Sequence, residues 1–196
     1  MTTLRDERAN RLVGLGRRWP MALGLVVAGL SISEIATGAV DARVEQSLLI
    51  ALPVVVYITT AVIGHAWTAW PVLVAAIAGL VLLRSTDLEP VLGLSAAAAT
   101  VVVVGLLVRR LQLGTESRME LLGAFGFGAL VVTALYVEPR VGGVVVGLGL
   151  IGHAIWDVVH YRRDMVVPRP FAEFCGVLDS LVGVAVLVAT VVVIGR

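Results

Sequence analysis

Apolar residues along the chain fall into seven long runs separated by short polar segments. The first run extends from Pro20 to Val40. Six more follow, at about 47–64, 70–83, 91–108, 119–137, 141–161 and 174–194. A helix of about 20 apolar residues, rising 1.5 Å per residue, crosses the hydrocarbon core of a bilayer. The pattern therefore predicts an all-α, polytopic membrane bundle of seven transmembrane helices over residues 20–196, preceded by a basic N-terminal segment at 1–19.

Composition supports the membrane assignment and excludes several function classes. Hydrophobic residues make up 59% of the chain and charged residues 15%, whereas charged residues approach a quarter of a soluble domain. All fifteen basic residues are Arg, so a lysine Schiff base with retinal or pyridoxal phosphate is excluded. A single Cys excludes an intramolecular disulfide. The Arg residues lie in short clusters between apolar runs, which argues against nucleic-acid binding. The expected partners are membrane lipids and a hydrophobic small-molecule substrate, while the oligomeric state is left open.

The distribution of Arg among the loops predicts the orientation. With the N-terminus in the cytoplasm, the inside segments hold eleven Arg and the outside segments four. Basic residues favour cytoplasmic loops. We therefore expect a multi-pass protein of the cell inner (cytoplasmic) membrane with a cytoplasmic N-terminus and an outside C-terminus.

Most of the polar chemistry lies between Ile151 and Asp179. This stretch holds two of the three histidines, the only cysteine and four carboxylates. On the sixth helix, offsets of four, seven and eleven residues from His153 place four polar side chains within about 60° of one another: His153, Asp157, His160 and Asp164. Cys175 and Asp179 follow on the seventh helix, and the short intervening loop predicts that the two helices are neighbours.

Two chemistries suit this set. In acid/base catalysis, a buried carboxyl tuned by a histidine transfers a proton to or from a lipid. Its candidate catalytic residues are Asp157, Asp179, His153 and His160. In a metal site, histidines and a carboxylate at helical spacing hold Zn or Fe. Its candidate ligands are His153, Asp157, His160 and His65, which the predicted orientation places in the same leaflet. Haem is disfavoured, because it would need His65 and His153 to approach one iron from two helices.

Candidate substrate contacts surround this polar stretch. Arg162, Arg163 and Arg169 could meet an anionic headgroup at the membrane interface, or simply anchor the cytoplasmic loop. Trp156 stands beside Asp157, and Glu34 is the only acid well inside the first apolar run. Both are further candidates for lining a substrate cavity.

The same stretch resembles a bacterial family of small integral membrane proteins of unknown function. The shared pattern is H-x-x-W-D-x-x-H, then Pro-Phe, then Cys and Asp. Here it is carried by His153, Trp156, Asp157, His160, Pro170, Phe171, Cys175 and Asp179. The Trp-Asp pair also looks like the motif of membrane-integrated terpene cyclases, although this chain has His where those enzymes have Asn or Tyr. The first resemblance implies that these positions act as a set, and the second implies a prenylated substrate.

The leading hypothesis is a membrane enzyme with a His/Asp site in the cytoplasmic leaflet. It would act on an isoprenoid or other lipid, by terpene-cyclase-like acid/base chemistry or by metal-assisted chemistry. One alternative is a small-molecule transporter with a 3+1+3 helix arrangement, suggested by the similar segments around His65 and His153. The other is a non-catalytic subunit in which the His/Asp set is a structural clamp. A lipid-sized cavity beside Asp157 would favour the enzyme.

Overall fold

The computed structural model describes residues 18–38, 42–112 and 114–194. These ranges contain seven long helices and no strand. The helices are α1 (Trp19–Thr37), α2 (Ala42–Ile63), α3 (Ala69–Leu83), α4 (Pro90–Leu107), α5 (Gly114–Tyr136), α6 (Pro139–Arg163) and α7 (Arg169–Ile194). All seven, α3 together with the 3-10 turn at Ala66–Thr68, are long and apolar enough to cross a membrane. The predicted all-α seven-span architecture is therefore confirmed, while residues 1–17 of the basic segment lie outside the described residues.

Three helices begin about five residues before the predicted apolar runs. These are α2, α5 and α7, which start at Ala42, Gly114 and Arg169. Their first turns carry polar residues, such as Glu45 and Glu116, that a hydropathy pattern leaves outside a span. An acidic side chain in the first turn is favourable, because the amino end of a helix carries partial positive charge.

Helix α2 lies at the centre of the bundle. It contacts every other long helix except α1 through several residues each. Its side chains at Ile50, Val56 and Ile58 are almost completely buried. Helices α1 and α3 lie at the periphery, and their exposed faces carry large apolar side chains such as Val26 and Leu82. An apolar exposed surface of this kind suits contact with lipid.

Helices α6 and α7 pack against each other more extensively than any other pair. Glycines make the close approach possible: a Cβ at Gly147 would stand 2.6 Å from Cγ of Leu187, and one at Gly183 would stand 3.0 Å from the Gly147 carbonyl oxygen. Close packing of small residues on α6 is found at Gly147. It does not extend to Gly152, where the nearest atom would be 3.7 Å away. This close packing fixes the positions of the polar residues of α6 relative to those of α7 along the helix axes.

The connection from α6 to α7 is short and strained. Helix α6 ends on Asp164 with φ of 53°, and Val166 follows with φ of 61°. The Val167 N–H donates to the Met165 carbonyl at 2.7 Å, closing a tight turn around Val166. A β-branched residue with positive φ is a genuine outlier. The buried side chains of Met165 and Val167 hold this turn in place.

Candidate functional site

A buried polar cluster joins three helices near the end of the bundle where α6 ends and α7 begins. Its members are Tyr57 of α2, His153 and Asp157 of α6, and Asp179 of α7; together they are called here the Asp157 cluster. His153 Nδ1 lies 3.3 Å from Asp157 Oδ2 and 2.9 Å from Asp179 Oδ2. The Tyr57 hydroxyl donates to Asp157 Oδ1. No member exposes more than 3% of its surface.

Asp179 is the least satisfied member of this cluster. Both of its carboxyl oxygens are buried without a hydrogen-bond partner among the described residues. Its one close polar contact is with His153 Nδ1, at the ion-pair distance of 2.9 Å. Burying a carboxylate without donors is costly. Two carboxylates thus face a single imidazole. The oxygens of Asp179 can still accept hydrogen bonds or bind a cation.

A second buried pair, Glu120 of α5 and His160 of α6, lies close by. His160 Nε2 is 2.7 Å from Glu120 Oε1, and His160 Nδ1 is 2.9 Å from the Trp156 carbonyl oxygen. Because a carbonyl oxygen can only accept, Nδ1 must carry a proton. The Glu120–His160 pair therefore matches one acid with one base, and both ring nitrogens have a partner.

Tyr57 separates the two groups. Its ring centroid lies 5.6 Å from that of His153 and 4.9 Å from that of His160, with the rings nearly perpendicular. A cavity of about 10 Å³ touches Tyr57, His153 and Glu120, which is about the space that one water occupies. The two groups are thus neighbours with separate partners.

A groove of about 540 Å³ leads from the outer surface of the bundle to Asp157. It lies between α1, α6 and α7. Its walls are mostly apolar, with Glu173 and Ser180 as polar exceptions, and include Met21, Leu25, Val158, Tyr161, Val177 and Leu181. Asp157 borders the groove but has 0% exposed surface, so a molecule in the groove would meet it only after neighbouring atoms shift.

The layer between the groove and Asp157 is thin because α7 has a glycine there. A Cβ at Gly176 would stand 3.4 Å from Asp157 Cβ and 4.0 Å from Asp157 Oδ2. Both are ordinary van der Waals contacts. A larger side chain at this position would cover the carboxyl group.

Three of the four predicted catalytic residues come together, and the fourth does not. His153, Asp157 and Asp179 share one cluster, whereas His160 is bonded to Glu120. His153, Asp157 and His160 lie on the predicted face of α6, but this face contacts two neighbouring helices. His153 and Asp157 lie against α7, and His160 lies against α5. Asp164, the last member of the stripe, is exposed and caps α6.

The predicted metal set His153, Asp157, His160 and His65 is not assembled. His65 is exposed, because the chain leaves α2 through Gly64 with φ of 76° and continues in an extended conformation. Among the described residues, His153, Asp157 and Asp179 form the group with metal-ligand spacing, each offering one ligand atom within 4.8 Å of the others. His65 and His153 are likewise not brought together for haem.

The predicted substrate contacts are scattered. Arg162, Arg163 and Arg169 are exposed. Arg163 contacts the sulfur of Met119 at 3.6 Å, and Arg169 lies 3.4 Å from Asp164 Oδ1 and 6.0 Å from the ring centre of Tyr161, which lines the groove. Arg169 therefore lies beside a residue of the groove wall.

The two remaining candidates lie away from the groove lining. Trp156 packs against Phe127 and His160, and its ring covers Gly123. Glu34 is exposed near the opposite end of α1. Neither residue forms part of the groove wall. Trp156 faces α5, and Glu34 faces outward at the end of the bundle opposite the Asp157 cluster.

Tyr57 and Glu120 contribute to these buried groups but were not predicted from the sequence. Tyr57 counts as apolar in a hydropathy pattern, so nothing separated it from the other residues of its span. Glu120 lies just inside the predicted run 119–137 and passes for a boundary charge. A carboxylate inside an apolar run is, however, a signal for a buried partner, and it could have been paired with the nearby histidines.

Comparison with known proteins gives no family assignment: no protein-family model, curated protein or solved structure matches this chain. The resemblance carried by the residues from His153 to Asp179 stays a prediction.

Proposed function

We propose that this chain is an integral membrane enzyme that acts on a lipophilic substrate, with the Asp157 cluster as its reaction centre. The observation that carries the proposal is the groove, which joins the outer surface of the bundle to Asp157. Ionisable groups inside a membrane are expensive, and they mark functional sites far more often than random positions do. A reaction centre explains why four such groups are gathered where a lipid-sized groove ends.

The shape and lining of the groove suggest the substrate class. A volume of about 540 Å³ falls within the usual range of small-molecule sites. Apolar walls on α1 and α7 suit a prenyl or acyl chain, while Glu173 and the nearby Arg169 suit a polar end at the membrane interface. An isoprenoid or another single-chain lipid fits this arrangement, in line with the likeness to membrane terpene cyclases.

The cluster can support two kinds of reaction. Asp157 shares its two oxygens between the Tyr57 hydroxyl and His153, so a proton can be held next to the groove and transferred to or from the substrate. Alternatively, His153, Asp157 and Asp179 can hold a metal ion. Both versions use the same groove and the same three side chains.

Location is part of the proposal. Among the described Arg residues, seven lie at the site end of the bundle, at positions 18, 109, 110, 118, 162, 163 and 169. Arg43, Arg84 and Arg140 lie at the opposite end. By the positive-inside rule, the site end faces the cytoplasm and the protein belongs to an inner membrane.

The transporter alternative receives less support. Gln46 and Ser47 of α2 are buried and polar near the far end of the bundle. They are separated from Tyr57 by the apolar stretch 48–56. A transport route needs polar side chains through both halves of the membrane, and the described residues provide them mainly in one half.

Substitution of Asp157 tests the enzyme proposal. The purified protein would be placed in liposomes made from the total lipid extract of bacterial cells, and lipid species followed by mass spectrometry. We expect wild type to convert at least one lipid, and Asp157→Asn to lose that activity by about 100-fold or more. His65→Ala is the control, because His65 is exposed and outside the cluster. The proposal is wrong if wild type and Asp157→Asn give the same lipid profile.

A further inference from the structure

We infer that His153, Asp157 and Asp179 bind one divalent transition-metal ion, with Zn²⁺ the best-fitting ion. This inference deepens the proposed function by naming the cofactor of the same site. The metal binding itself can be measured without knowing the substrate.

The ligand atoms of the three side chains lie within 4.8 Å of one another, and two of the three spacings are close to those of a metal shell. Ligand atoms at 2.0–2.2 Å from Zn²⁺ stand about 3.4 Å apart when the arrangement is tetrahedral. His153 Nδ1 lies 3.3 Å from Asp157 Oδ2 and 2.9 Å from Asp179 Oδ2. One contact already has the required length, and the other needs to open by about half an ångström.

Asp179 provides the independent evidence. A carboxylate that serves only as a structural acceptor should receive hydrogen bonds, as Asp157 does from Tyr57. Apart from the 2.9 Å contact of Oδ2 with His153, both Asp179 oxygens lack such a partner among the described residues, although the residue has 0% exposed surface. A metal ion bonded to these oxygens would offset the cost of burying them.

The negative charge of the Asp157 cluster also favours a bound cation. Two carboxylates share a single imidazole, so even a protonated His153 leaves one negative charge of the two ionised carboxylates unbalanced in a low-dielectric environment. The described Arg residues that carry ion pairs use other carboxylates: Arg84 pairs with Glu45, and Arg169 with Asp164. A divalent ion makes the set of ligands and metal electrically neutral.

The donor types narrow the identity of the ion. One imidazole nitrogen with two carboxylate oxygens suits Zn²⁺ and neighbouring transition ions better than Mg²⁺ or Ca²⁺, which favour all-oxygen shells. Three protein ligands leave a coordination position open, as in catalytic zinc sites. The Tyr57 hydroxyl bonded to Asp157 would orient that ligand from outside the shell. A metal bound here would supply a Lewis acid or an activated water beside the groove.

Metal content measures the inference directly. Protein free of any affinity tag would be stripped with a chelator, incubated with ZnCl₂, separated from free ion and assayed by inductively coupled plasma mass spectrometry. We expect about one Zn²⁺ per chain in wild type and an affinity reduced at least about 100-fold in Asp179→Asn. Glu120→Gln is the matched control, since it neutralises another buried carboxylate that pairs with histidine, and it should keep its zinc.

X-ray absorption at the zinc edge of wild type covers the case in which Asp179→Asn does not fold. We expect a shell of nitrogen and oxygen atoms with an imidazole signature and without sulfur. The inference is overturned if wild type binds no zinc, if Asp179→Asn binds zinc as tightly as wild type, or if the shell contains sulfur. Lipid conversion that needs Asp157 but proceeds without metal would overturn this inference and leave the proposed function standing. Zinc bound at the cluster without conversion of any lipid would support this inference and contradict the proposed function.

Discussion

The two buried histidine groups of this protein differ in how their polar atoms are satisfied. The Glu120–His160 pair joins one acid to one base, and the second nitrogen of His160 bonds to the Trp156 carbonyl. The Asp157 cluster places two carboxylates against one imidazole, and His153 is the one close polar contact of Asp179 among the described residues. Among the described residues, no fully buried oxygen of Glu120 lacks a hydrogen-bond partner, whereas both oxygens of Asp179 do.

The two groups also differ in their access to the surface of the bundle. Glu120 and His160 touch only the small cavity or packed side chains, while Asp157 borders the groove. A satisfied pair in a closed site can hold α5 to α6 as a structural clamp, in a place different from the His/Asp clamp that the sequence suggested between α6 and α7. An unsatisfied cluster beside a groove suits a reaction centre. The comparison shows that counting buried ionisable residues is a weaker guide than asking which of them have their partners.

Removing one member of the closed pair should have the largest effect on stability. We expect His160→Ala to lower the free energy of unfolding by about 3 kcal/mol, because it leaves the Glu120 carboxyl buried without its base. Unfolding by a denaturing detergent would measure this loss. The double variant Glu120→Gln with His160→Ala should recover part of it. A loss below about 0.5 kcal/mol in the single variant would contradict the clamp assignment.

A larger side chain at Gly176 should block the access of substrate to Asp157 without unfolding the protein. We expect Gly176→Val to lower lipid conversion about tenfold or more, because the added methyl groups cover Asp157. Gly176→Ala should have a smaller effect, since its Cβ makes only ordinary contacts. Gly126→Val is the matched control: a Cβ at Gly126 meets no atom within 4 Å. Full activity of Gly176→Val would show that substrate reaches the cluster by another route.

Relief of the strain at Val166 should have the smallest effect. Asn tolerates positive φ better than Val, and Val166 lines a polar cavity of about 230 Å³ with Thr60 and Glu116, so the amide can be accommodated. We expect Val166→Asn to raise the free energy of unfolding by about 0.5–1 kcal/mol. Val166→Ala, which keeps an unfavourable φ, should gain less. Equal stability of the two variants would mean that the turn carries no strain.

Sequence predicted the architecture well, because apolar run length and loop charge are local properties. It also predicted that α6 and α7 are neighbours, from the short loop between them. It could not show which neighbour each side of the α6 stripe would meet, so His160 was grouped with Asp157 instead of Glu120. His65 was misplaced because the exit of the chain at Gly64 depends on one backbone angle. Tyr57 was missed because its hydroxyl becomes informative only when Asp157 lies opposite.

The central claim is that the Asp157 cluster performs chemistry while the Glu120–His160 pair holds the fold. Its most direct test is lipid conversion per folded protein in two isosteric variants, Asp179→Asn and Glu120→Gln, with the folded fraction measured by size-exclusion chromatography. We expect Asp179→Asn to lose about 100-fold or more, and Glu120→Gln to stay within about threefold of wild type. Equal losses in the two variants, or a greater loss in Glu120→Gln, would contradict the account.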